Sequence, residues 1–426
     1  MASPPSALPS PGLGGARLEA IERWAWRIPL PTRRLLLLLA VAVGAALVLS
    51  GVVGAAVLSR NSDAVHRART SGVGVAQSAT EFRTQLAVAD AQAAVTLLSG
   101  GLEEPADRAA YDKAVLDAST ALTAAATLGR PEDTDDILQL SEQLVRFNGS
   151  VETSRANSRQ GYPVGSAYLS QARELARTEM VPRADRLRRE GERRVAQAAN
   201  DISGPVSAVG VAAVAVATVL LLAAATIVAG RTRRLVHPAI AVAAVAILVA
   251  LAVILTSVGD QTNELRSAAT DELETFAAAN DASSALSNLR VTEINAVAAR
   301  GSGDALFAQF RVDADALRSR LLGQGSVSLV AQLDSYTSAV RAVEDADTAG
   351  DNQAAAALTL TGDSGNTFDD ARRAAAGEVA GAQEALTSRV DAADDASRDP
   401  VLLIVFGVVA AALAAAGILA RARRYR

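Results

Sequence analysis

The chain has no cysteine in its 426 residues and only two histidines, and aromatic side chains make up 3% of it. Each scarcity excludes something. Without Cys there is no thiol nucleophile, no Cys-ligated metal and no disulfide. His66 follows the first long apolar run and His237 opens the third, so the two do not form a joint metal site. Hydrophobic residues are 50% of the chain, so Ala and Val supply most of the apolar mass. That favours helices, where Ala loses no side-chain entropy, over a β-sandwich built from aromatic and β-branched strands. The single lysine, Lys113, follows no Gly-rich phosphate loop, and Gly301-Ser302-Gly303 closes a helix instead of following a strand as a nucleophile elbow would. Acid pairs such as Asp135-Asp136 read as solvated helix charges. We therefore expect no enzyme, no cofactor and no metal.

Long apolar runs are plentiful. Residues 35–58, 206–229, 239–258 and 401–420 each approach the ~20 residues that a helix needs to cross a bilayer. None has a polar stripe at helical spacing. The middle two runs are separated only by residues 230–238, which hold Arg231, Arg233 and Arg234. Arg33 and Arg34 precede the first run, and Arg421, Arg423, Arg424 and Arg426 follow the last. Basic residues near span ends stay on the cytoplasmic side. The expected order is a cytoplasmic N-tail (1–34), a span, an extracytoplasmic segment (59–205), two spans around a cytoplasmic turn, a second extracytoplasmic segment (259–400), a span and a cytoplasmic tail (421–426). The runs carry no ionisable residue of the kind an ion-coupled transporter uses.

The outer segments differ in charge. Ser59–Gly204 has 18 basic and 20 acidic residues, and Asp260–Asp399 has 11 and 24. The acidic second segment argues against nucleic acid and suits either solubility or a basic protein partner.

Both segments read as helices broken by turns. In the first, Gly100-Gly101 ends a helix, and Glu103, Glu104 and Pro105 open the next, which runs to about Leu128. Gly129-Arg130-Pro131 and Gly161-Tyr162-Pro163 are further turns, and Pro182 and Pro205 are expected kinks. The second segment repeats the plan, with breaks at Arg300–Gly303, Gly323–Gly325, Gly350 and Gly362–Gly365. Phe147, Val151 and Gly161 are spaced as Tyr336, Val340 and Gly350 are. The expectation is an all-α membrane protein, with four transmembrane helices and two extracytoplasmic antiparallel four-helix bundles from a duplicated sensor-like unit. The duplicated bundles could pair within one chain, and a homodimer is open as well.

A polar set falls near the far end of the first bundle: Asp90, Gln92, Arg108, Tyr111, Tyr162 and Tyr168. Tyrosines with an Arg suit a small molecule or a partner protein, while loop packing is the plainer explanation. The corresponding set in the second bundle is Arg290, Glu293, Asn295 and Arg300. On the inner face, residues 16–28 space Leu18, Ile21 and Ile28 as a short interfacial helix beside Trp24 and Trp26, which would lie against membrane lipid. Arg23, Arg27, Arg231, Arg233 and Arg234 are candidate contacts for a cytosolic partner.

The stretches ADAQAAVTLLSGGLEEPADRAAYDKAVLDAS (Ala89–Ser119) and RANSRQGYPVGSAYLSQARELARTEMVPRADRL (Arg155–Leu187) resemble the transmembrane protein family of the actinobacterial glutamine- and glutamate-sensing pathway. The layout resembles that family over nearly the whole chain, and the first bundle carries most of the likeness. The resemblance implies an amino-acid-binding lipoprotein as the extracytoplasmic partner and a cytosolic Ser/Thr protein kinase, protein kinase G, as the inner one. It implies a signal relay. The alternatives are a non-signalling envelope scaffold and an accessory subunit of an amino-acid transporter.

Overall fold

In a computed structural model the protein is described over residues 32–98, 104–160, 162, 164–232, 238–396 and 400–422. All regular structure among the described residues is helical. The α-helices are α1 (Thr32–Arg67), α2 (Val75–Leu98), α3 (Pro105–Leu128), α4 (Thr134–Arg159), α5 (Val164–Leu175), α6 (Val181–Ile202) and α7 (Pro205–Thr232). They continue with α8 (Pro238–Ser267), α9 (Leu273–Ala298), α10 (Asp304–Gln324), α11 (Val327–Thr348), α12 (Asn352–Leu360), α13 (Asp363–Asp395) and α14 (Pro400–Ala422). Short π-helical turns at Ala68–Gly74, Ala176–Met180 and Ala268–Glu272 join α1 to α2, α5 to α6 and α8 to α9. The described residues fall into two compact units, those within 1–65, 199–263 and 392–426, and those within 66–198 and 264–391.

The first unit is built on the apolar runs. Among the described residues, four helices are long and apolar enough to cross a membrane, with mean hydropathies between 2.5 and 2.8 in their most apolar windows. Their inward faces follow helical spacing. Leu36, Ala40, Val43 and Leu47 of α1 meet Ala217, Leu221 and Ala224 of α7, Ala243 and Ile247 of α8, and Ala410 and Ala414 of α14. Leu38, Val41, Val216, Val219, Val245 and Val405 face outward and are exposed, a surface suited to lipid. At one crossing α1 and α14 touch through backbone. A Cβ on Gly51 would stand 2.8 Å from the Leu403 carbonyl, and one on Gly407 would stand 2.9 Å from the Leu47 carbonyl. Such small-residue contacts let apolar helices pack where water does not drive them together.

Among the described residues, two large cores stand out in the second unit. The first joins Phe82, Leu86 and Ala89 of α2 with Tyr111, Ala114 and Ala118 of α3, Leu140, Leu144, Phe147 and Val151 of α4, and Leu169 and Ala172 of α5. The second joins Leu286 and Leu289 of α9 with Phe307, Phe310, Ala314 and Leu317 of α10, Leu333, Tyr336 and Val340 of α11, and Phe368 and Ala371 of α13. Alternating steps of three and four residues, as in 307, 310, 314, 317 and 321, keep one stripe of each helix inward and allow shallow packing angles. Positive φ at Gly325 (76°) and Gly350 (79°) ends α10 and follows α11, a backbone that costs glycine little.

The described residues of the two segments between the apolar runs share this one unit. The cause is α2 and α9. Both are rich in Ala, Ser and Thr and are buried on more than one side. While one face of α2 serves the first core, Ala91, Ala94 and Val95 on another meet Val291 and Ile294 of α9. Small side chains leave little standing off between the helices, so burial of both faces outweighs exposing either.

Candidate functional site

Arginines cross the α2–α9 seam. Arg83 on α2 lies 3.0 Å from Asp185 of α6 and 2.9 Å from Asp281 of α9. The next residue, Thr84, donates its hydroxyl to the Asn280 side chain at 2.9 Å. Arg173 of α5 makes a second bridge. Its Nε donates to Asp90 of α2 at 2.8 Å, and a terminal nitrogen donates to the Asn295 side-chain oxygen on α9 at 3.0 Å. Burial lifts the Asp90 carboxyl above the ordinary aspartate value, against the pull of Arg173. Two candidate residues from different segments, Asp90 and Asn295, are thus brought to one guanidinium.

The other candidates go elsewhere. Tyr111 is fully buried, donates to the Asn148 side chain at 2.8 Å and lies 4.0 Å under the Arg155 guanidinium. It is a residue of the first core. Arg108 is tied to Asp112 and Glu152 at 3.0 and 3.1 Å. Tyr162 is exposed, and Tyr168 and Gln92 are half-buried. In the second core, Glu293 is fully buried and accepts from Arg290 at 2.9 Å and from the Tyr336 and Ser364 hydroxyls at 2.6 Å each. Burial beside Glu293 raises the Tyr336 hydroxyl, which stays a donor. Four polar groups satisfy one another there, which reads as a core network. Arg300 is exposed, with φ 51°, at the end of α9. Arg23, Arg27, Arg233 and Arg234 lie outside the described residues, and Arg231 sits near the C-terminal end of α7.

One cluster has no counterpart in the sequence reading. At the π turn after α1, Gly72 passes Gly191 of α6 with backbones in contact. A Cβ on Gly191 would stand 2.6 Å from the Gly72 carbonyl, and one on Gly72 would stand 2.7 Å from the Val195 side chain. Beside this crossing Arg194 forms two 2.7 Å hydrogen bonds to Asp133 and donates to the Ser71 carbonyl at 3.1 Å. Both side chains of the pair are only 3% exposed. Burial disfavours the Asp133 carboxylate, but hydrogen bonds from Arg194 and the Arg130 amide hold its pKa below the ordinary value. The cluster therefore ties the π turn, the start of α4 and α6 together. The available signal was the run Arg188–Arg194, dense in charge, but sequence alone does not say which Arg turns inward.

Residues 64–200 match the family model of the actinobacterial sensor domain. No curated protein and no solved structure matches the chain. The matched residues run from the end of α1 through α6, and they include the first core, Asp90, Arg173 and the Gly72–Gly191 crossing. The match supports an actinobacterial sensor protein, here in a chain whose apolar helices suit a membrane.

Proposed function

We propose that the chain is a non-enzymatic, multi-pass membrane sensor that relays an extracytoplasmic signal to a cytosolic protein kinase. The observation that carries this reading is the sensor-domain match over residues 64–200, in a segment flanked on both sides by helices apolar enough to span a membrane. The basic flanks orient both termini and the 230–238 turn to the cytoplasm. Residues 59–205 and 259–400 then form paired antiparallel helical bundles outside. The resemblance to the glutamine- and glutamate-sensing family supports an amino acid as the signal, delivered on a binding lipoprotein, and a Ser/Thr protein kinase as the receiver.

A relay needs an element with two arrangements that ligand binds unequally. The π turns at Ala68–Gly74 and Ala268–Glu272 suit that role, since each begins ten residues past the end of an expected span, at Ala68 and at Ala268. The test is to replace Arg231, Arg233 and Arg234 together by Gln and follow phosphorylation of the kinase's substrates as the amino-acid supply changes. The response should vanish while the chain stays membrane-inserted. An unchanged response would leave the envelope scaffold as the better reading.

A further inference from the structure

The groove between α10 and α11 takes no part in the seam or the crossing. It encloses about 250 Å³. Its floor is apolar and buried, formed by Phe307, Phe310, Leu333 and Val340. Ion pairs between the two helices stand along it. Arg311 donates to Glu344 at 2.7 Å, and Arg318 donates to Asp334 at 2.8 Å. Asp315 of α10 and Arg341 of α11 also line the groove, one on each wall. Both are exposed, and neither side chain is hydrogen-bonded or ion-paired among the described residues, although Asp315 lies within the field of Arg318 on its own helix.

We propose that this groove binds a small zwitterion, a solute with a carboxylate and an ammonium group a few bonds apart. The carboxylate goes to the Arg341 guanidinium, whose planar fork suits two parallel hydrogen bonds. The ammonium goes to Asp315, and the rest of the molecule lies in the space between the two helices, above a floor that is itself almost fully covered. The volume falls below the ~300–1,000 Å³ of sites for drug-sized ligands, so the occupant is a small solute. Charge sets the class. A simple anion would meet Asp315 and a simple cation would meet Arg341, whereas a zwitterion satisfies both walls. The two existing ion pairs tie α10 to α11 along the groove, which fixes the walls before ligand arrives and lowers the ordering cost of binding. The assignment rests on the sensory reading for its purpose, though not for its chemistry, and it places a ligand directly on this chain instead of only on a carrier.

The test is calorimetric titration of the purified full-length chain in detergent. The probes are glycine, L-valine, L-glutamine and L-glutamate, with isovalerate and isobutylamine as the valine analogues that lack one charge. At least one zwitterion should bind saturably, and Arg341→Ala and Asp315→Ala should each weaken it about tenfold or more. If valine is a binder, both analogues should lose as much. Both positions are exposed, so the variants should keep the helical circular dichroism of the parent. The double exchange Asp315→Arg with Arg341→Asp should recover part of the binding, with the ligand reversed. Absence of saturable binding by all four zwitterions, binding indifferent to both variants, or isovalerate binding as well as valine would overturn the proposal. Kinase signalling that persists without zwitterion binding would remove this groove and spare the sensory reading. Binding without any kinase response would do the reverse.

Discussion

Burial pushes two aspartates of the second unit the same way, yet their carboxyls end on opposite sides of the ordinary value, and their neighbours explain why. Asp133 receives two hydrogen bonds from Arg194 and one from the Arg130 amide, so its carboxylate is favoured in the fold. With a folded pKa below 3.8, its stabilisation is complete above that value and is lost as pH falls through the lower folded one. Asp90 has only Arg173 against its burial, and its folded pKa lies above 3.8. Its ionised form therefore costs stability at neutral pH, and that cost disappears as pH drops through the folded value. Asp133→Asn should lower stability by about 3 kcal/mol, because it removes the main partner of a buried guanidinium and leaves Arg194 only Glu190 and the Ser71 carbonyl. Asp90→Asn should cost about 1 kcal/mol or less, since the amide oxygen still accepts from Arg173 while the unfavourable charge is gone. Thermal unfolding of the two variants between pH 3 and 7 (about the range in which carboxylates titrate) separates them. Asp133→Asn should flatten the acid limb, and Asp90→Asn should not.

At the scale of helices, glycines divide into those that permit a crossing and those that merely occupy a helix. Gly191 has the Gly72 carbonyl and the Ala76 amide nitrogen within 2.9 Å of where its Cβ would be. Gly149, in the middle of α4, has nothing within 4 Å. Gly191→Leu should cost about 1–3 kcal/mol or more by forcing α6 off the π turn. Gly149→Ala should stabilise by about 0.5–1 kcal/mol through helix propensity. Melting temperatures of both variants check the pair, and equal shifts would deny the close crossing. Sequence reading reaches the helices well. α3 begins at Pro105, where acids and a proline mark a first turn, and α11 ends just before Gly350. It does not reach the π turns, because an inserted residue leaves helical periodicity nearly unchanged over so few positions. Nor does it place the buried charges. Arg155, Arg194 and Arg290 turn inward while Arg146 and Arg193 stay exposed, because a polar side chain argues for solvent even where its position continues a buried stripe, as Arg155 does after Phe147 and Val151. For the same reason Tyr111 looks like a tip residue in sequence and is a core residue in the fold.

For the whole molecule, the decisive feature is that both segments between the apolar runs contribute to one unit through α2 and α9. The seam buries Ala91, Ala94 and Val95, so residues 64–200 alone would expose an apolar face with Arg83 and Arg173 each short of a partner. Expressed alone, that segment should self-associate on gel filtration and melt below the full chain. A monomer of equal stability would speak against the seam. The composition also offers a clean route to topology, since the chain has no cysteine of its own. The most direct measurement is labelling of intact cells with a membrane-impermeant maleimide, using the single variants Ser119→Cys, Ser335→Cys and Arg426→Cys. Ser119 and Ser335 are exposed, one in each segment between the apolar runs. Both should label in intact cells, and Arg426→Cys only after permeabilisation. Labelling of Arg426→Cys in intact cells, with the other two protected, would invert the protein in the membrane and contradict the relay.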